Sequence, residues 1–249
     1  MKNLLFIVDP QNDFTDPRGS LYVPGAEKTI EHICKFIKTH IQEIDEILIS
    51  ADTHQYYNVG FAEFWNIPGL KAFDKISVED ILSGKCKPRN LDPQKKDAFL
   101  SQFRKYRGKE LTIWPRHCIE GTWGCCFPDS LNYALGEWGL QKSKGYKVFK
   151  KGYVPEIESY SVFPSVLYIG NGEKLERPRT LLQPWNSIWI AGFCKDICVA
   201  ETLQDMKYEL YRNKLILLEN CMATLNPSDP RLSIYQELTD SWGAKIEMS

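Results

Sequence analysis

Six short runs of strand length, four of them mainly apolar, set between stretches with helical spacing, constrain this 249-residue chain more than any other feature. The runs are Leu4–Val8, Ile47–Ala51, Tyr146–Lys150, Ile188–Ala191, Lys214–Leu218 and Ala244–Met248. Each is of strand length, and the apolar ones have the composition of strands covered on both faces. The stretch Glu27–Ile41 carries Ile30, Ile33, Ile37 and Ile41 on one stripe, the pattern of a helix laid on a sheet. Further helical stretches cover roughly Asp129–Trp138, Cys198 to about Tyr211, and Pro230–Trp242. Strands alternating with helices specify an α/β fold: a doubly wound, six-stranded, mainly parallel sheet with helices on both faces. The last run is expected at the sheet edge.

Hydrophobic residues make up 43% of the chain, enough for one large core, so residues 1–249 are read as a single domain. Residues from about 66 to 112 do not fit the alternation and are too long for a plain connection. They read as an insertion forming a lid, a side wall or a subunit contact, or else a tolerated surface elaboration. Ile76–Ile81 is a short helix candidate. A better one has Asp92 as N-cap, Pro93 in the first turn, Phe99, Phe103 and Tyr106 on one face, and Gly108 as stop.

A formal net charge of −1 with mixed signs argues against a nucleic-acid or membrane-surface partner. Leu4–Val8 is too short for a leader or a membrane span. Eight cysteines without a secretory segment read as reduced thiols in the cytoplasm. A homo-oligomer stays open.

Chemistry-bearing residues gather at the ends of the runs. After Ile188–Ala191, Gly192 breaks the strand, a turn passes through Phe193–Asp196, and a helix is expected from Cys198. A thiol at a strand-to-helix turn, near the positive helix end, has a lowered pKa; the alternative is a small buried cysteine starting a core helix. Asp9 ends the first run, in the ligand crevice of a doubly wound sheet or as a turn former. Asp52 and His54 are two apart in extended chain, so both can face one divalent cation, although D-x-H alone is common by chance. Lys151 follows the third run. A buried ammonium needs an anion, which Asp9 and a Cys198 thiolate would supply, whereas Lys150 alternates to the surface. Cys118, Cys125 and Cys126 lack C-x-x-C spacing and read as packing residues, while His32 and His40 read as solvated and carry no chemistry. P-Q-N-D-F after the first run is not a Gly-rich phosphate loop, which argues against nucleotide binding.

Four segments, in order, resemble the isochorismatase-like cysteine hydrolases, the superfamily that includes the nicotinamidases: L-F-I-V-D-P-Q-N-D-F, W-P-R-H-C-I-E-G-T, K-G-Y-V-P-E-I-E-S-Y-S-V-F and G-F-C-K-D-I-C-V. Together they span nearly the whole chain outside the insertion. The resemblance implies a Rossmann-like, isochorismatase-like sheet and a catalytic set of Asp9 as general base, Lys151 and the nucleophile Cys198. It implies an oxyanion hole from the backbone N–H groups of Cys194 and Cys198, with a cis peptide at Phe193–Cys194. It adds His117 to Asp52 and His54 as ligands of a divalent metal, zinc first, with manganese or iron as alternatives. Asn58 stands where many nicotinamidases carry a further His. Phe14, Trp114 and Tyr160 match residues that line the substrate ring. The activity implied is hydrolysis of a small amide, nicotinamide to nicotinate first, with another small amide, an N-carbamoyl or a ureido compound as the alternative. From a different class, a non-catalytic binding protein on the same fold remains open, and Cys194 is a rival nucleophile.

Overall fold

The computed structural model describes residues 2–104, 106, 108–163, 181–207 and 215–249. All six runs form strands: β1 (Asn3–Val8), β2 (Glu46–Asp52), β5 (Lys147–Lys151), β6 (Ser187–Gly192), β7 (Leu215–Met222) and β8 (Lys245–Glu247). They make one sheet in the order β5-β2-β1-β6-β7-β8, and every pairing among the described residues is parallel. The sequence winds from β1 through β2 to β5 on one side, then from β6 through β7 to β8 on the other. The reversal falls between β1 and β6, and in such sheets the crevice at that point takes the ligand.

The central strands are dry. Leu4 to Val8 and Ile47 to Ile49 are buried within one continuous apolar cluster. Helices α2 (Ala26–Thr39), α5 (Asp129–Lys142), α6 (Ala200–Lys207) and α7 (Ser233–Trp242) pack against the sheet, and a short α1 (Asn12–Thr15) follows β1. On α2 the isoleucine stripe faces inward, with Ile33 and Ile37 fully buried. His32 and His40 are half-buried rather than solvated. His32 Nδ1 meets the Asn220 carbonyl at 2.9 Å and His40 stacks on Phe36, so both serve packing.

β5 differs from the central strands. It is an edge strand with Lys147, Val148 and Lys150 exposed, and only its terminal Lys151 is buried. The expected continuation of the helix after Cys198 to Tyr211, and the start of the fifth run at Lys214, lie outside the described residues.

The inserted stretch has its own architecture. Ile76–Ile81, expected as one helix, divides into β3 (Lys75–Ser77) and α3 (Val78–Leu82). β3 pairs antiparallel with β4 (Glu110–Thr112), with Ile76 opposite Leu111. Asp92 caps as expected: its Oδ1 accepts the Gln94 N–H at 2.9 Å, a 3-10 turn covers Pro93–Lys95, and α4 (Lys96–Arg104) follows. Phe99 and Phe103 meet edge-on at 5.2 Å in a second apolar cluster with Val59, Phe64, Trp65 and Leu111. Among the described residues no helix is long and apolar enough to cross a membrane.

Candidate active site

Four neighbouring strands bring the sequence-predicted residues to one end of the sheet. Asp9 follows β1, Asp52 ends β2, Lys151 ends β5, and Cys198 lies six residues beyond β6. Asp52 and Lys151 are partners in the parallel ladder, so their side chains leave the sheet side by side. The Lys151 ammonium lies 2.9 Å from Asp9 Oδ2, 2.8 Å from Asp52 Oδ1 and 3.6 Å from Cys198 Sγ. One carboxylate oxygen each of Asp9 and Asp52 and the Cys198 sulfur lie within 4.8 Å of one another. The ammonium fills that cluster, which excludes a metal there. Asp9 is further fixed by Ser50 Oγ–H, which donates to its Oδ1 at 2.6 Å.

Burial sets the electrostatics. Lys151 would lose its proton more easily from desolvation alone, but Asp52 and then Asp9 hold its pKa well above the usual lysine range. Burial raises the Asp9 pKa; Lys151 opposes that rise and Asp52 adds to it. Asp52 goes the other way: burial pushes up, yet Lys151 and then His54 hold it well below the usual range. The lowered thiol pKa expected for Cys198 is not what the structure gives. Burial raises it well above the ordinary cysteine value, Lys151 partly counteracts, and Asp9 and Asp52 raise it further. The resting thiol is therefore protonated, and a neighbouring base has to remove the proton.

The turn after β6 explains the local sequence. Gly192 has φ +122, and a Cβ there would lie 2.0 Å from the Val8 carbonyl oxygen, so only glycine lets β6 pass β1. The Phe193–Cys194 peptide is cis, as the resemblance implies. The expected helix start at Cys198 is displaced. Lys195–Val199 form a wider turn in which the Val199 N–H reaches the Cys194 carbonyl at 3.1 Å, and α6 begins only at Ala200. The reason is Asp196, buried in that turn, whose two oxygens accept the backbone N–H groups of Leu225 and Asn226 at 2.9 and 2.8 Å. The Cys194 N–H donates to no backbone carbonyl among the described residues, which leaves it free for a ligand oxygen.

Asp52, His54 and His117 form a second cluster. His54 Nε2 lies 3.3 Å from Asp52 Oδ1, and His117 Nε2 lies 3.5 Å from Asp52 Oδ2. The Nδ1 of each ring meets a backbone carbonyl, Gly152 at 3.1 Å and Pro115 at 2.8 Å. Those carbonyls favour the proton on Nδ1 and leave both Nε2 lone pairs directed at the carboxylate. Two buried carboxylates also share one ammonium, so a negative charge remains. Burial disfavours the charged form of His54, but Asp52 overrides it and raises the pKa. Donor types, orientation and surplus charge all fit a divalent cation. Gly152, at φ +73, explains the Lys-Gly pair: a Cβ there would stand 2.4 Å from the His54 ring. Asn58 does not act as a further ligand. Its amide N–H donates to the Gly152 carbonyl at 3.0 Å and its oxygen accepts the Gly60 N–H at 2.9 Å.

Phe14, Trp114 and Tyr160 line the pocket with Cys198, and Trp114 Nε1–H donates to the Tyr160 hydroxyl at 3.1 Å. The cavity holds only about 20 Å³, room for a single water. Trp114, Glu158, Tyr160 and Ile197 also border a neighbouring groove of about 1590 Å³ on the side of the insertion. Sequence reasoning missed three contributors. Phe61 packs edge-on against His54 at 5.3 Å. Gln11 clamps Asp52, accepting its N–H at 2.7 Å and donating to its carbonyl at 2.6 Å. Glu158 lines the pocket. Gln11 and Glu158 lie inside the quoted motifs, so an amide or acid flanking a motif residue was the available signal. Of the three further cysteines, Cys118 is buried, Cys125 half-buried and Cys126 exposed. The packing role expected of Cys126 is thus corrected, because its loop carries it outward after the turn Trp123–Cys125.

No protein-family profile matches the chain. It is 26% identical over 246 residues to the nicotinamidase of Schizosaccharomyces pombe, covering 98% of this chain and 91% of that protein. It is 25% identical over 205 residues to the nicotinamidase of Saccharomyces cerevisiae, covering 81% and 79%. The solved structure of the yeast nicotinamidase Pnc1p superposes with a TM-score of 0.69 at 22% identity, over 99% of this chain and 100% of that one. The pyrazinamidase of Pyrococcus horikoshii in complex with zinc superposes with a TM-score of 0.60 at 21% identity, over the full length of both.

Proposed function

We propose that this chain, an isochorismatase-like hydrolase by fold with nicotinamidases among its sequence relatives, hydrolyses nicotinamide to nicotinate and ammonia. One observation carries the chemistry: a buried ammonium within 3.6 Å of a thiol and 2.9 Å of a carboxylate, all at the reversal point of the sheet.

In this reading Asp9 takes the Cys198 proton, and its burial-raised pKa suits that task better than an ordinary carboxylate's. Lys151 stays protonated and lowers the cost of the thiolate. The sulfur attacks the amide carbon, and the oxygen gains negative charge against the Cys194 and Cys198 N–H groups. Asp9 returns its proton to the nitrogen, ammonia departs, and a thioester remains. Asp9 then deprotonates the water that cleaves the thioester and regenerates the thiol. Asp52, His54 and His117 would hold a divalent metal, zinc first, which supplies Lewis acidity beside the pocket when bound. A pyridine ring needs more than the 20 Å³ present, so it enters as the wall of Trp114, Glu158, Tyr160 and Ile197 yields toward the groove.

The test is ammonia release from nicotinamide and from a panel of small carboxamides and ureido compounds, with and without a chelator. Release from nicotinamide, lost on chelation and restored by zinc, is expected. Release from ureido compounds alone would move the assignment to them, and silence across the panel would leave a binding protein on this fold.

A further inference from the structure

The pocket contains a thiol that the reaction above does not use. Cys194 offers its backbone N–H to the oxyanion, but its side chain takes no part. Cys194 and Cys198 are both buried, and among the described residues they are the cysteines that line the small cavity. The turn after β6 closes between them: the Ile197 and Val199 N–H groups both donate to the Cys194 carbonyl, at 3.0 and 3.1 Å. Cys198 lies between those two donors, so it stands one turn of chain from Cys194. A disulfide joins Cα atoms about 4.4–6.8 Å apart, the reach of a single turn.

The surroundings of the two sulfurs agree with that placement. Burial pushes both thiols well above the ordinary cysteine value, and Lys151, Asp9 and Asp52 act on each, so both sit among the same charges. The cavity they share has room for about one water, at about 20 Å³. Hydrogen peroxide is little larger than water and reaches both sulfurs without displacing the wall, which a bulky disulfide oxidant has to do.

We propose that Cys194 and Cys198 form a reversible oxidation site for a small peroxide, in which Cys194 resolves the oxidised Cys198 as a disulfide. Once Asp9 has taken the Cys198 proton, the sulfur attacks one peroxide oxygen. An S–O bond forms, the O–O bond breaks, and the departing hydroxide takes up that proton as water. The Cys194 sulfur then attacks the sulfenic sulfur; S–S forms, S–O breaks, and the second hydroxide leaves as water with the Cys194 proton. Two thiols and one hydrogen peroxide give one disulfide and two waters, with sulfur oxidised and peroxide oxygen reduced. Both thiols are protonated at rest, so the oxidation is slow and dose-dependent rather than that of a fast scavenger. Without a resolving thiol the sulfenic acid goes on to sulfinic acid, which reducing thiols do not reverse. As an oxidation site the pair is independent of the amidase reading; as a reversible stop on catalysis it rests on that reading.

The experiment treats the full-length wild type, Cys194→Ala and Cys194→Ser with graded hydrogen peroxide, with thermal melts as a folding control. Remaining thiols are alkylated in denaturant and tryptic peptides are mapped by mass. Lys195 lies between the two cysteines, so cleavage after it leaves peptides that only the disulfide joins. In the wild type a Cys194–Cys198 cross-link is expected, growing in proportion to the activity lost, and dithiothreitol should restore most of that activity. In both variants Cys198 should proceed to sulfinic acid. The share of each variant's own starting activity that dithiothreitol restores should then fall several-fold below the wild-type share. Sulfinic Cys198 beside reduced Cys194 in the wild type, or equal recovery in the variants, overturns the proposal. So does Cys198 that stays reduced at doses that oxidise the exposed Cys126. The wild-type map needs no variant, so misfolding of both would leave the proposal open to refutation. A cross-link in a protein that releases no ammonia before treatment sinks the amidase reading and keeps the oxidation site, and ammonia release without a cross-link does the reverse.

Discussion

The end of the main sheet and the inserted unit solve opposite problems. At the sheet end, Asp9, Asp52 and Lys151 are buried and charged, and each is tolerable only because the others are present. In the insertion, Phe99, Phe103 and Leu111 form an apolar cluster with Val59, Phe64 and Trp65, which precede it in the chain. The first arrangement sets up chemistry at a cost in stability; the second supports the wall next to it. Reactive charge and structural support are thereby assigned to separate cores, joined through Gln102 of α4, which accepts the Glu158 N–H and donates to the Glu156 carbonyl.

Four perturbations test that division. The largest effect belongs to Cys198→Ala, expected to lower kcat by on the order of 10⁴-fold or more, while Cys194→Ala stays active. Ammonia assays on both decide it, and an active Cys198→Ala beside a dead Cys194→Ala would transfer the nucleophile. Next, Lys151→Met leaves two buried carboxylates without their cation, at about 3–5 kcal/mol of stability in urea unfolding near neutral pH. Without the ammonium both carboxylates bind protons more tightly in the folded state, so the deficit shrinks as pH falls. A deficit independent of pH would mean that the carboxylates are not the cause.

Phe103→Ala should cost about 3–5 kcal/mol if it collapses only the second cluster. Hydrogen exchange should then rise in α3 and α4 and stay unchanged in β1 and β6; uniform loss of protection would show one core rather than two. The smallest effect is on the pH profile. Asp9 has to be ionised to accept the thiol proton, and burial raises its pKa above the ordinary 3.8. Activity should therefore rise with pH along a limb whose midpoint lies above 3.8. A midpoint at or below that value would place the working base outside the cluster.

The two regions also differ in how far the amino-acid order reveals them. β1, β2 and β6 are runs of aliphatic residues whose burial is dictated by composition, and residues at strand ends inherit their place from the winding of the sheet. Asp9, Asp52, Lys151 and Cys198 were legible for that reason. β3 and β4 were not, because three residues are too few to show a period, and their pairing joins positions 35 apart, Ile76 and Leu111. Glu158 escaped notice because its lack of a partner exists only once Gly60 and Trp114 close over it.

Local order along the polymer thus determined the strands, their parallel winding and which functional groups arrive at the crevice, since those follow from short-range periodicity and chain connectivity. Three-dimensional packing alone decided the protonation of Cys198, the wide turn imposed by Asp196 and the grip of Gln102 on the pocket wall. Each of these depends on desolvation or on a hydrogen bond between distant segments, and neither is written in any single stretch of sequence.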